Sequence, residues 1–154
     1  MAVLREQRPY VQFNFQVDLL TDGMDPTGFT GGFQEISGIG MEVTVSEYRC
    51  GTDKYNGVRK ITGLNKVADV TLKNGLIGSL ALYSWLDLIR SGDQTQIRQQ
   101  AIIRLMSEDH STTVLTWKLL GARIIKMTHG PLNAKGTDVA MQEVVINYER
   151  LEME

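Results

Sequence analysis

The chain has 154 residues, enough for one domain with a substantial core and no need of covalent staples. Apolar residues make up 42% and charged residues 22%, and the formal charge is −2, so neither a disordered chain nor a polycation that grips nucleic acid without regard to sequence is expected. The single cysteine, Cys50, excludes an intrachain disulfide and fits synthesis in a reducing cytoplasm. The charged start, Met1 to Pro9, does not read as a cleaved signal, and the apolar stretch from Leu76 to Ile89 is too short and interrupted to span a bilayer.

In chain order, residues 1–9 read as an N-terminal arm. The first element is a strand from Tyr10 to Leu19. Val11, Phe13, Phe15, Val17 and Leu19 alternate with Gln12, Asn14, Gln16 and Asp18, the period of a strand with one buried and one wet face. Residues 21–32 form a loop rich in Gly, Asp and Thr. A short strand, Phe33 to Ser37, ends at Gly38 and Gly40. From Met41 to Tyr48, Met41, Val43 and Val45 face one way, and Glu42, Thr44 and Ser46 the other. Residues 49–63 read as a long exposed hairpin loop, and Lys66 to Lys73 as the strand that follows.

The predicted helix runs from Ser79 to Arg90. Leu82, Trp85, Leu86 and Ile89 lie at helical spacing as the stripe that packs on the rest of the domain. Ser79 suits the N-cap, and Gly92 the left-handed residue beyond the end. Four more strands are predicted at Gln100–Met106, Thr113–Leu120, Ala122–Met127 and Val139–Arg150. Seven or eight strands with one helix predict a mainly β fold in one domain, a closed barrel or a sandwich with the helix packed on it.

Residues that could carry chemistry are sparse. Ser107, Asp109 and His110 have a triad's composition, but neighbours in a turn do not converge on one point. Cys50 has no histidine near it in sequence, and Asp22 and Asp25 lack the spacing of a calcium loop. Gly28 to Gly32 lacks the strand–glycine–helix setting of a dinucleotide site, and no phosphate-binding P-loop motif occurs. Trp85 and Trp117 lie in periodic apolar segments, where core packing is expected. No catalytic residue, metal site or cofactor is therefore expected.

Several segments, in order, resemble the tail-tube family of contractile phages and extracellular contractile injection systems. They are Gly32-Phe33-Gln34-Glu35-Ile36-Ser37-Gly38-Ile39, Glu47-Tyr48-Arg49, Lys60-Ile61-Thr62-Gly63-Leu64-Asn65-Lys66 and Val70-Thr71-Leu72-Lys73-Asn74-Gly75. Leu82-Tyr83-Ser84-Trp85, Trp117-Lys118-Leu119, Ala122-Arg123-Ile124-Ile125-Lys126, Leu132-Asn133-Ala134 and Val139-Ala140-Met141-Gln142-Glu143 continue the series. Thr62 stands where the family has proline, Cys50 where an acidic residue is common, and Ile124-Ile125 where an aromatic–proline pair is usual.

The resemblance implies a two-sheet β-barrel with one flanking α-helix, and a structural subunit without catalytic activity. It implies a homo-hexamer whose rings stack into the inner tube of a virion or injector, inside a contractile sheath. It further implies a baseplate and tube-initiator proteins as partners, with DNA or protein cargo in the lumen. A type VI secretion-like ring protein that carries effectors is the alternative within the same barrel, and a small ligand-binding barrel the alternative outside it.

Gln12, Asn14, Gln16 and Asp18, with Glu42, Thr44 and Ser46, are the candidate lumen residues; the same faces suit an outer solvated wall equally. Arg49, Lys54, Arg59 and Lys60 make the mid-chain loop basic, and Asp138, Glu143, Glu149, Glu152 and Glu154 make the end of the chain acidic. Opposite charges on two faces suit rings stacked head to tail, which makes the loop a candidate stacking contact.

Overall fold

A computed structural model describes residues 9–20, 29–76, 80–92 and 98–154. Among these residues the fold is mainly β with one helix. The strands are β1 (Phe15–Leu20), β2 (Phe29–Gly31), β3 (Glu35–Ser37), β4 (Met41–Tyr48), β5 (Arg59–Val67) and β6 (Val70–Gly75). Helix α1 (Ala81–Arg90) precedes β7 (Arg98–Met106), β8 (Thr113–His129), β9 (Met141–Asn147) and β10 (Arg150–Met153). Eight strands form one antiparallel sheet ordered β2-β1-β7-β8-β9-β6-β3, with β10 on β8, curled into a half-barrel. The remaining two, β4 and β5, pair only with each other.

The curl is made by β8. Its 17 residues run as one strand where two were expected. Thr113 to Leu120 pair with β7 and β10, and Arg123 to His129 pair with β9. Between them Gly121 has φ +66, and a Cβ there would stand 3.0 Å from the Glu149 carboxylate. Only glycine takes that conformation without strain, so the strand can bend and serve both halves of the sheet.

The two halves close on a common core. Val17, Leu19, Ala101, Ile103, Leu119 and Leu151 come from one half, and Val70, Leu72, Ile124, Val144 and Ile146 from the other. Each fully buried aliphatic side chain contributes ~1.5–3 kcal/mol. Leu82 and Trp85 dock α1 onto this core, with Leu86 and Ile89 packed at its margin. Gly92 has φ +97, as the sequence predicts, and its amide reaches the Ile89 carbonyl at 3.1 Å. The observed N-cap is Leu80, with no side-chain cap bond. Ser79, the expected cap, and the Asp22–Asp25 loop lie outside the described residues, as does the arm except for Pro9.

Other boundaries differ from the sequence reading for identifiable reasons. β1 starts at Phe15, not Tyr10, and just before it the Asn14 side chain turns inward. Its amide donates to the carbonyls of Ser107 and Glu108, both at 3.2 Å. The hairpin loop ends at Val58: residues 59–63 belong to β5, whose mixed polar sequence hides a strand that is wet on both faces. The predicted Lys66–Lys73 strand is two strands with a turn at Ala68 and Asp69. Tyr148 and Glu149 likewise separate β9 from β10. Trp117 is only partly buried, at the edge of the core.

Candidate assembly surfaces

Among the described residues, the β4–β5 ribbon is left largely uncovered by the rest of the fold. It makes no extensive packing with any other described element. Met41, Val43 and Val45 are 59%, 50% and 53% exposed, so the predicted apolar face exists but covers nothing in its own subunit. Isolated two-stranded ribbons are at best marginally stable in water. An exposed alternating apolar stripe of this kind is a candidate contact surface.

Its root is held firmly. The Ala68 amide donates to the Gly40 carbonyl at 3.0 Å, and the Tyr148 hydroxyl donates to the same carbonyl at 3.3 Å. Burial raises the Tyr148 pKa, which keeps that hydroxyl protonated as a donor. Asn147 donates to Asp69 at 2.8 Å. Gly38, at φ +87, packs so closely on the Asp69 carbonyl that no side chain fits there. These contacts fix the angle at which the ribbon leaves the body.

At the tip, the candidate stacking residues are partly engaged with one another. Arg59 pairs with Asp53 at 3.3 Å, and Arg49 donates to the Asp53 carbonyl at 3.2 Å and to Asn56 at 3.3 Å. Lys60 stands across the ladder from Glu47, and Lys54 is exposed. Tyr48 and Cys50 share a hydrogen bond of 3.1 Å, which with some desolvation raises the tyrosine pKa. The acidic chain end is also partly paired: Lys118 with Glu154 at 2.6 Å, and Arg150 with Glu152 at 3.3 Å.

The candidate lumen residues fall into two groups. Gln16 and Asp18 lie on the outer face of β1. Cross-strand registry continues that face through Arg104 and Ile102 of β7, then Thr116 and Lys118 of β8, then Glu152 of β10. Asp18 is buried in an ion pair with Arg104, a partner with no local sequence signal. Gln12 is exposed beyond the strand. Asn14 is 6% exposed and structural, which corrects its placement on an open wet face. Glu42, Thr44 and Ser46 lie on the hairpin, opposite the apolar stripe, and Thr44 is half-buried.

The triad-like cluster is a turn. The Asp109 carboxylate accepts from the Ser107 hydroxyl and, at 3.2 and 2.7 Å, from the Ser111 amide and hydroxyl. Those donors, Ser107 foremost, hold its pKa down to about 2. His110 takes a positive φ of 59 and closes the turn through its backbone amide. Among the described residues, no group of three or more His, Cys, Asp or Glu could hold a metal ion, and no helix is long and apolar enough to cross a membrane.

A family model described as the T4-like virus tail tube protein gp19 matches residues 11–152. The chain belongs to that family. The tail-tube fold is similar to a chain of the anti-feeding prophage baseplate, at 24% identity over 96% of both chains with a TM-score of 0.82. It is also similar to a chain of an extracellular contractile injection system, the PVC sheath–tube complex in its extended state. There the identity is 23% over 97% of this chain and 93% of that one, with a TM-score of 0.80. A type six secretion system protein is less similar, at 10% identity, a TM-score of 0.54 and coverage of 92% and 83%. No curated protein sequence matches the chain.

Proposed function

We propose that this tail-tube protein is a structural subunit of the inner tube of a contractile phage tail or related injection system, and that it catalyses no reaction. Subunits close into hexameric rings, and rings stack into a conduit for DNA or protein cargo. The tube sits within a contractile sheath and on a baseplate. The observation that carries this reading, beside family membership, is the uncovered β4–β5 ribbon. A free-standing monomer has no use for a clamped arm with an apolar stripe; a subunit that grips its neighbour does.

Two finer assignments go with it. The face bearing Gln16 and Asp18 lines the conduit, because it is polar and its charges are matched by neighbours such as Arg104. A wall of that kind holds passing cargo weakly. The hairpin tip with Arg49, Lys54, Arg59 and Lys60 contacts the next ring, the apolar stripe supplying much of the affinity and the charges setting orientation.

Native mass spectrometry of the assembled protein tests the stoichiometry. Species in multiples of six chains are expected. A monomer alone at high concentration, with sheath and baseplate proteins present, contradicts the reading.

A further inference from the structure

The outer face of β1, β7, β8 and β10, up to the bend at Gly121, carries six described charged side chains, three cations and three anions. Each cation has its own carboxylate. Arg104 pairs with Asp18, Lys118 with Glu154 at 2.6 Å, and Arg150 with Glu152 at 3.3 Å. Backbone hydrogen bonds between Thr116 and Glu154 keep Glu154 in register with this face. Uncharged polar side chains, those of Gln16, Gln100 and Thr116, stand between the pairs. Ile102, at the centre, is only 6% exposed, so the face offers little apolar surface there.

We propose that the cargo carried along this face is polypeptide, of either sign of net charge, and not nucleic acid. This rests on the reading of the protein as a tube subunit and of this face as its conduit wall.

Nucleic acid is held by free cations. A duplex carries about one negative charge per 1.7 Å of its axis, and binding draws its strength from lysines and arginines that replace condensed counterions. Here a phosphate reaches Arg104, Lys118 or Arg150 only by displacing a carboxylate, which then stands beside it as a like charge. Nor does the face repel a polyanion and so keep it off the wall, since its side-chain charges cancel. A ring repeats the same face around its axis, so neither sign accumulates. The balance belongs to this face and not to the chain at large. Residues 49–60 hold Arg49, Lys54, Arg59 and Lys60 with Asp53 as their only acid, so unmatched cations do occur, on another surface.

A polypeptide meets such a wall differently. It brings both signs of charge and exchanges partners with the three ion pairs, while its amides pair with Gln16, Gln100 and Thr116. Each contact is weak, because it trades against one already made. The cargo is retained without being trapped, and its net charge makes little difference.

The test assembles tubes from the full-length chain in the presence of one fluorescent probe at a time: a net-acidic unfolded polypeptide, a net-basic one of equal length, and a duplex DNA. Washed tubes are treated with protease or nuclease, and the protected probe is measured. The two polypeptides are expected to be retained to within about threefold of each other, and the duplex about tenfold less or lower still. Retention of the duplex on a par with the polypeptides, or of one polypeptide alone, overturns the proposal. The double variant Glu152→Gln with Glu154→Gln leaves Lys118 and Arg150 without their partners, and neither glutamate is buried. Its tubes, doped with wild-type chains if the pure variant does not assemble, should retain about tenfold more duplex at low salt, an excess that disappears at high salt. Unchanged duplex retention in those tubes also overturns the proposal. Failure of wild-type chains to form tubes at all counts against the underlying reading instead.

Discussion

Gly63 lies directly against Thr44 across the hairpin ladder. A Cβ on Gly63 would sit 2.8 Å from the Thr44 hydroxyl oxygen and 3.3 Å from its carbonyl oxygen. That hydroxyl is itself fixed, donating to the Leu64 carbonyl at 2.9 Å. The ladder shifts register here, between Val43 and Val45, so that Gly63 and Leu64 together oppose Thr44. The bulge twists the ribbon while keeping Val43 and Val45 on one face. Gly63→Ala is expected to distort the ribbon at its middle. Because the ribbon packs little on the body, the thermal midpoint should fall by only a few degrees while tube assembly drops at least tenfold. Light scattering against calorimetry separates the two; normal assembly would remove the hairpin from the mechanism.

Trp85 presents the opposite case. It is 2% exposed and joins α1 to the core with Leu82. Trp85→Ala should cost ~3–5 kcal/mol in chemical denaturation. Trp117→Ala should cost the isolated subunit less, since that ring is only partly buried at the edge of the core. Equal losses at the two positions would contradict the packing described.

Charge reversal at the hairpin tip separates its two contributions. Arg59 is paired with Asp53 within the tip, so Arg59→Glu with Lys60→Glu both breaks that pair and inverts the surface. Assembly of the double variant is expected to slow markedly, with an unchanged circular dichroism spectrum. Surface pairs are weak and screened by salt, so this effect should shrink at high ionic strength. Normal tubes at low and high salt alike would show that the tip charges play no part.

The β7–β8 turn should respond to acid in a defined window. Asp109 has its pKa lowered from 3.8 to about 2 by donors from Ser107 and Ser111. Its folded value lies below its unfolded value, so it favours the folded turn above about pH 4 and stops doing so as pH falls to about 2. The protection of the Ser111 amide, its exchange rate relative to that of an unstructured peptide at the same pH, should therefore fall across that interval and be low at every pH in Asp109→Ala. Unchanged protection through the window in the wild-type chain would contradict the assignment.

Much of the fold is legible in the sequence because strand and helix periods track burial. Val17 and Leu19, Val70 and Leu72, and Leu82 and Trp85 were readable as core from spacing alone. The errors cluster where burial and period part company. β5 has no dry face, so residues 59–63 read as loop. Gly121 reads as a break, yet it is the bend that lets one strand serve both halves of the sheet. Asn14 alternates correctly but is drawn inward by carbonyls 93 and 94 residues away, a contact that no local pattern reveals. The site was half legible. The alternation of Met41, Val43 and Val45 marked an apolar face, but whether that face meets its own core or another chain is a property of the whole fold.

Electron microscopy of the purified protein, alone and co-expressed with sheath and baseplate proteins, tests the central claim most directly. Long hollow tubes of stacked six-fold rings are the expected result. Isolated rings that never stack would favour the type VI-like alternative, and monomers with no higher assembly under any of these conditions would contradict the tube-subunit reading.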